Sequence, residues 1–223
     1  ARSPSEALKA TARSSVLYIL YRRLLTRFVY RQADKIVTVS NEMTEDLVTM
    51  TGLPTSSFET IYNPTITEDV ILKSQEHLDH PWLNRDTPVI LGVGRLTEQK
   101  DFATLIRAFA LVQAQRPAHL MILGEGDARA SLESLITSLN LADVVALPGF
   151  VGNPYNYMAR ASVFVLSSKF EGLPNALIEA LAIGTPVVAT NCPTGPNEIL
   201  EAGAYGPLIQ VGDEVALAKG ILQ

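Results

Sequence analysis

The 223-residue chain contains one cysteine, three histidines and no long apolar run. The single cysteine, Cys192, excludes an internal disulfide and leaves the compartment open, with the cytoplasm favoured. Because no histidine lies near it in sequence, Cys192 is predicted to be an inert buried thiol rather than a nucleophile. No segment reaches the roughly 18 apolar residues of a transmembrane helix. The opening ARSPSEALKATARSS also lacks the apolar core and cleavage site of a secretory signal.

Charge is scarce and unevenly distributed. Charged residues make up 18 % of the chain and apolar residues 47 %, as in ordinary globular proteins. Residues 1–35 carry eight basic and two acidic side chains, a net charge of +6, whereas the remainder carries −11. This asymmetry predicts an anionic partner for the leading segment alone. An acidic body without interleaved aromatic and basic residues argues against nucleic acid.

The first third of the chain predicts helices and strands followed by a connector, with a domain boundary near Asn63–Pro64. Residues 5–32 are predicted to form one amphipathic helix, with Leu25 and Phe28 among its apolar face. Strands are predicted at 35–40 and 58–63, and the helix between them begins after Ser40 or Asn41 and ends at Gly52. The stretch from Pro64 to residue 87 reads as a connector with one short helix.

From residue 88 onward, β-strands and α-helices alternate with short links. This rhythm predicts an α/β fold, with a Rossmann-like parallel sheet and helices on both faces. The expected strands are 88–94, 119–126, 143–150, 163–168, 186–191 and 205–211. Ligands of such sheets bind at the carboxyl ends of the strands.

Three of the loops at those ends carry glycine or charge. In GVGRLTEQKD, Gly94 permits close backbone approach, Arg95 can form paired hydrogen bonds to a phosphate, and Lys100 adds a point charge. An exposed loop with two solvated cations is the alternative. GEGDAR (124–129) begins like a dinucleotide fingerprint, but Arg129 replaces the third glycine and disfavours NAD. In GFVGN, Val151 offers a backbone edge to a planar base, or the segment is a plain turn.

The segment KFEGLPNALIEA combines a helix start with two acids. Pro174 fits the first helical turn, and the N–H groups around Gly172, Leu173 and Asn175 are predicted to point out of the helix amino end. Such an end favours an anion, above all a phosphate.

Two glutamates, Glu171 and Glu179, flank that helix start. Glu171 precedes the helix and is expected to face the crevice. Glu179 could accept hydrogen bonds from two vicinal hydroxyls, as on a ribose, or instead cap backbone N–H groups or pair with a cation.

Taken together, these motifs resemble a known enzyme family. GVGRL, EQKD, LMILGEGD, FEGLPNALIEALAIGTPVVAT and CPTGPNEIL, in this order, resemble the family 4 glycosyltransferases of GT-B fold. Glu171 and Glu179 show the E-x7-E spacing of those enzymes, and the resemblance covers residues 33–220. It implies that the second of two Rossmann-like domains binds a nucleotide-sugar donor and that transfer retains the anomeric configuration.

The resemblance also implies a role for each residue on the phosphate side. Gly94 is expected beneath the phosphates, which Arg95 and Lys100 hold. These two cations and Glu171 are the candidate catalytic residues. No Asp-x-Asp pair occurs, so neither a metal site nor a cofactor beyond the donor substrate is indicated.

The same resemblance assigns the sugar, ribose and base. Glu171 is expected to bind hydroxyls of the donor sugar, with backbone N–H groups of Gly172–Asn175 near sugar and phosphate. Glu179 takes the ribose hydroxyls, and Val151 offers its backbone to the base. The donor is expected to be a UDP- or GDP-sugar and the acceptor a saccharide or a lipid-linked sugar, in polysaccharide or lipopolysaccharide biosynthesis.

The resemblance divides the chain into three parts. Residues 1–63 are expected to end the acceptor-side domain, 64–87 to be a linker, and 88–223 to be a donor domain truncated at its carboxyl end. A donor-binding fragment with little or no transfer is therefore expected. The histidine that the family brings to the donor is not among His77, His80 and His119, which lie in the connector or at a strand start.

Two matters stay open at this level. The basic segment 13–31 is either the solvated face of a packed helix or a peripheral contact with the cytoplasmic membrane face, as in relatives that use lipid-linked acceptors. The rival functions are a GT-B hydrolase or epimerase of nucleotide sugars and a non-catalytic nucleotide-sugar-binding module.

Overall fold

The computed structural model describes residues 25–83 and 86–223, which contain two separate parallel β-sheets. Most of the helix predicted over 5–32 lies outside the described residues, and residues 25–30 of it are helical. Leu25 and Phe28, expected on its apolar face, are 48 % and 65 % exposed. Neither side chain is therefore packed into a core.

The smaller sheet pairs β1 (Ile36–Thr38) with β2 (Phe58–Thr60) through the crossover helix α1 (Asn41–Thr51). Ser40 caps α1 by accepting a 3.2 Å hydrogen bond from the backbone N–H of Met43, and Gly52 ends it in the left-handed conformation. Both ends confirm the sequence prediction. The strand predicted over 58–63 is shorter, because β1 offers only three residues for pairing.

The larger sheet has six parallel strands in the order β5-β4-β3-β6-β7-β8. They are β3 (Val89–Val93), β4 (His119–Leu123), β5 (Val145–Gly149), β6 (Val163–Leu166), β7 (Val187–Thr190) and β8 (Leu208–Ile209). This arrangement confirms the predicted Rossmann-like α/β fold. The order reverses between β3 and β6, so the connections leave these strands on opposite faces and open a crevice at their carboxyl ends.

Helices cover both faces of the large sheet and bury two apolar cores, one around Phe109 and one around Phe164. They are α2 (Glu68–Ser74), α3 (Phe102–Gln113), α4 (Arg129–Ser138), α5 (Tyr155–Met158), α6 (Asn175–Ile183), α7 (Pro196–Ile199) and α8 (Glu214–Leu222). Residues 196–203 do not form one continuous helix, because Ala202 has a left-handed φ of 55°. Within the described ranges, no helix combines the length and apolarity that crossing a bilayer requires.

The connector is held to the sheet by aromatic contacts. Trp82 stacks on His119 with ring centroids 4.3 Å apart, and His80 meets Trp82 edge to face at 5.9 Å. Burial lowers the pKa of His80. These contacts give His80 and His119 structural surroundings at the amino edge of the sheet, away from the crevice.

Candidate functional site

A cavity of about 430 Å³ opens at the carboxyl ends of β3, β4 and β5. Gly94, Arg95 and Val151, all predicted site residues, contribute to its wall together with Glu125 and Phe150. The Phe150 side chain is 82 % exposed at the rim. Three loops that are distant in sequence therefore meet at the edge where a ligand was expected.

The floor of this cavity depends on two glycines of the β4 loop. A Cβ atom on Gly124 would lie 2.0 Å from the carbonyl oxygen of Gly94, and one on Gly126 would lie 2.3 Å from that of Leu96. The loops after β3 and β4 thus touch backbone to backbone. The GEG sequence serves this contact between loops, which explains its glycines without a dinucleotide site.

Lys100 and Glu171 form an ion pair across the crevice. Their Nζ and Oε1 atoms are 2.6 Å apart, and the side chains are only 19 % and 7 % exposed. Lys100 follows β3 and Glu171 follows β6, the two strands between which the sheet order reverses. The lysine chain also passes over Gly94, where a Cβ atom would lie 3.1 Å from its Cε. The fold therefore joins three of the predicted site residues.

Two serines directly after β6 hold both members of that ion pair. The Ser168 hydroxyl donates to Glu171 Oε1 at 2.6 Å, and the Ser167 hydroxyl donates to the Lys100 carbonyl oxygen at 2.8 Å. Both serines are fully buried. Sequence reasoning missed them, although two hydroxyl residues at the end of the apolar strand VFVL were an available signal.

Arg95 is in the opposite situation to Lys100. Its side chain is exposed at the cavity wall and makes no hydrogen bond or ion pair with any residue of the described ranges. The site thus contains one cation already neutralised by a carboxylate and one cation available to an incoming anion.

The amino end of α6 presents unpaired backbone donors next to Glu171. Within residues 25–83 and 86–223, the N–H groups of Gly172, Leu173 and Asn175 have no acceptor. Pro174 is the residue before the helix rather than part of its first turn, a small correction that leaves these donors unchanged. Free N–H groups and the helix dipole together favour an anion at this end.

Glu179 lies half-buried one turn inside α6, beside the hydroxyl of Tyr155. Burial raises the pKa of Glu179, and the hydrogen bond from Tyr155 partly opposes this rise. Burial and then the negative charge of Glu179 raise the pKa of Tyr155. No ion pair to Glu179 forms among the described residues. The carboxylate therefore keeps acceptor capacity for a ligand.

A doubly wound sheet with cations, glycine loops and a helix amino end at its switch point is the arrangement in which open α/β sheets bind ligands, with a preference for anions. Residues 87–223 match the family described as Glycosyl transferases group 1. Since this match covers more than half of the chain, the chain belongs to that family.

Curated relatives of this chain are named as glycosyltransferases. An uncharacterised glycosyltransferase of Methanocaldococcus jannaschii is 36 % identical over 208 residues, which cover 89 % of this chain and 48 % of that protein. The N-acetylgalactosamine-N,N'-diacetylbacillosaminyl-diphospho-undecaprenol 4-alpha-N-acetylgalactosaminyltransferase of Campylobacter jejuni is 36 % identical over 213 residues, covering 93 % and 56 %. The chain spans about half the length of these relatives.

A solved structure confirms the fold. A mutant of S. aureus TarM, in complex with fondaparinux, α-GlcNAc-glycerol and UDP, superposes with a TM-score of 0.73 at 22 % identity. The superposition covers 87 % of this chain and 37 % of TarM. The expected α/β fold of GT-B glycosyltransferases is thereby confirmed.

Proposed function

We propose that the chain is the donor-binding part of a retaining family 4 glycosyltransferase. It transfers a hexosyl unit from a UDP- or GDP-sugar to a saccharide or lipid-linked acceptor. In this proposal residues 1–63 belong to the acceptor-side domain, 64–87 are the linker and 88–223 bind the donor. The observation that carries it is the Lys100–Glu171 ion pair over Gly94, at the point where the strand order reverses.

The diphosphate of the donor lies between the two cations and the amino end of α6. Arg95 makes paired hydrogen bonds to phosphate oxygens, Lys100 adds a point charge, and the free N–H groups of Gly172, Leu173 and Asn175 complete the anion site. As the sugar–phosphate bond breaks, negative charge grows on the β-phosphate oxygen. Fixed donors stabilise it without reorganising, and one such donor is worth about 3 kcal/mol.

Two carboxylates and a backbone edge bind the remainder of the donor. Glu171 accepts hydrogen bonds from hydroxyls of the sugar, and Glu179 from the two hydroxyls of the ribose. The base lies against the backbone of Val151 in the 430 Å³ cavity. Half-burial of Glu179 supports its role, because a desolvated carboxylate without a cation gains most from hydroxyl donors.

The acceptor is proposed to be lipid-linked. The Campylobacter jejuni relative is named for transfer onto a diphospho-undecaprenol acceptor, and residues 13–31 of this chain are rich in arginine and apolar side chains. We therefore expect peripheral contact with the cytoplasmic membrane face through this segment. In a flotation assay the chain should rise with vesicles that contain anionic lipid and stay behind with neutral ones.

The donor site is tested most cleanly at Arg95, because its side chain supports no other part of the described structure. Isothermal titration of UDP and GDP into the wild type should give binding by at least one of them. Arg95→Ala should weaken that binding about tenfold or more, the loss expected for a charged hydrogen bond. Arg116→Ala is the matched control, since Arg116 is exposed at the opposite edge of the same sheet.

Lys100→Ala provides the second arm, with Lys169→Ala as its control. Lys169 lies in the loop after β6 but pairs with the exposed Glu98 instead of Glu171. Equal nucleotide affinity of the wild type and Lys100→Ala would remove Lys100 from the diphosphate role. Absence of binding by UDP and GDP to the wild type would overturn the proposed donor site as a whole.

A further inference from the structure

Two helices from distant parts of the chain meet amino end to amino end beside the site. One is α1, which opens with Asn41 and Glu42, and the other is α7, whose first turn contains Asn197 and Glu198. Each helix thus has an asparagine–glutamate pair in its first turn. The two glutamates are exchanged: each lies at the amino end of the opposite helix.

Glu198 accepts hydrogen bonds from the first residues of α1. The backbone N–H groups of Asn41 and Glu42 donate to its two carboxylate oxygens at 3.2 Å each, and the Asn41 side-chain amide donates at 3.0 Å. The Tyr62 hydroxyl donates to the same carboxylate at 2.5 Å. The Glu198 carboxylate therefore accepts four hydrogen bonds from residues 41–62.

Glu42 makes the reciprocal contact with the amino end of α7. The backbone N–H of Gly195 donates to Glu42 Oε2 at 2.6 Å, and the side-chain amide of Asn197 donates to Oε1 at 2.9 Å. The two partners of the Gly195 contact are 153 positions apart in sequence.

This exchange is not needed to form either helix. Ser40 already caps α1 through the N–H of Met43, and α7 is a single turn. Two helix amino ends carry like partial charges, so they approach closely only when acids lie between them. The two exchanged carboxylates therefore hold α1 and α7 against one another.

The docked segments enclose the loop that precedes α6. The Ser40 hydroxyl donates to the Gly172 carbonyl oxygen at 3.2 Å, and the Thr194 hydroxyl donates to that of Glu171. A Cβ atom on Gly195 would lie 2.6 Å from Pro174 Cδ. Ser40 precedes Asn41, and Thr194 precedes Gly195, so the neighbours of two donors of the exchange hold the loop 171–174 from both sides.

We propose that Glu42 and Glu198 are positioning residues, and that their exchanged hydrogen bonds let residues 40–62 set the geometry of the loop 171–174. They act through that loop and do not touch the donor. The inference rests on the proposed function only where it treats this loop as part of the donor site; the exchange itself is a feature of the fold.

The test combines hydrogen exchange with donor titration on the full chain. Glu42→Gln and Glu198→Gln each place an amide donor against the N–H groups now paired with a carboxylate. The backbone amides of Glu171, Leu177 and Ile178, which donate to the carbonyl oxygens of Pro193 and Pro174, should exchange about fivefold faster in either variant, and UDP-glucose affinity should fall by about the same factor. The double variant should show less than the product of the two effects, because one docking contact is broken in both.

Glu45→Gln is the matched control. The Glu45 side chain is exposed on α1 and makes no hydrogen bond or ion pair within the described residues, so neither the exchange rates nor the UDP-glucose affinity should change. Asn197→Ala, which removes one donor to Glu42, should give a smaller change in the same direction and serves if a glutamine variant fails to fold.

Exchange of the Glu171, Leu177 and Ile178 amides that is the same in Glu42→Gln and Glu45→Gln overturns the inference, whatever the donor affinities are. Failure of the wild type to bind UDP or UDP-glucose refutes the proposed function instead. In that case the exchange rates still decide whether the two acids position the loop.

Discussion

Two cavities of similar volume, about 430 Å³ and about 360 Å³, lie at opposite edges of the six-stranded sheet. The first is at the carboxyl ends of the strands and is bordered by Gly94, Gly124 and Arg95. The second is at the amino ends and is bordered by three prolines, Pro88, Pro186 and Pro207, together with Ser162 and Arg116.

The two cavities differ in the number of hydrogen-bond donors that they offer to a ligand. Proline has no N–H and a fixed φ, so the proline-lined edge offers a ligand few backbone hydrogen bonds. Glycine lets the backbone itself approach a ligand or another loop. The carboxyl edge also has the free N–H groups of α6 and the exposed guanidinium of Arg95. Cavity volume alone would not distinguish a binding site from a packing gap in this fold.

The largest expected contrast between the edges is in their glycines. Gly124→Ala would drive a methyl group to 2.0 Å from the Gly94 carbonyl oxygen, so the free energy of unfolding should fall by about 3 kcal/mol or more. Gly220 lines the other cavity, and a Cβ atom there would lie 3.2 Å from Val188 Cγ1. Gly220→Ala should change the free energy of unfolding by no more than about 1 kcal/mol, because alanine favours the helix. Urea denaturation measures both; equal values would contradict the tight loop contact at the carboxyl edge.

The second contrast concerns Glu179, whose pKa burial raises above 4.5. The folded state then binds a proton more tightly than the unfolded state, so the ionised carboxylate destabilises the fold at neutral pH. Glu179→Gln should raise the melting temperature at pH 7.5, and this gain should shrink as the pH falls through the raised pKa towards 4.5. The same variant should bind nucleotide more weakly by about 2 kcal/mol, roughly 30-fold.

Glu59→Gln, an exposed substitution on β2, is the control for this measurement. Lower stability of Glu179→Gln at neutral pH would contradict the raised pKa of Glu179. Nucleotide affinity that stays unchanged would contradict the ribose role.

The smallest contrast compares the buried hydrogen bond of Ser168 at the carboxyl edge with the partly buried one of the exposed Ser162 at the amino edge. Ser168→Ala removes the 2.6 Å hydrogen bond to Glu171 and should weaken UDP-glucose binding about fivefold, with UDP binding unchanged. Ser162→Ala removes the acceptor of the Val89 N–H and should lower stability by about 1 kcal/mol without affecting either ligand. If both variants bind UDP-glucose as the wild type does, Ser168 has no positioning role.

The fold and the members of the site could largely be predicted from sequence, because both follow from local patterns. Alternating apolar strands and amphipathic helices predict the parallel sheet, and parallel strands bring Gly94, Lys100 and Glu171 to one edge. The family match over 87–223 agrees with that prediction. The roles assigned to individual residues stay predictions.

The contacts within the site could not be predicted, because they depend on side-chain geometry between distant segments. Nothing in EQKD or KFEG says that Lys100 and Glu171 pair with each other, or that Ser168 takes part. The exchange of Glu42 and Glu198 is hidden for the same reason, since each acid alone looks like an ordinary first-turn glutamate.

The Lys100–Glu171 ion pair has a consequence for the order of events at the site. Under the proposed roles, a free nucleoside diphosphate that attracts the lysine leaves the buried glutamate carboxylate without its cation, with the Ser168 hydroxyl still donating to it, whereas a complete donor supplies sugar hydroxyls as well. Under the proposed roles, the intact donor therefore competes better than the spent nucleotide for the same cleft. Under the same proposed roles, re-formation of the 2.6 Å contact after the sugar has departed would favour release of the nucleoside diphosphate.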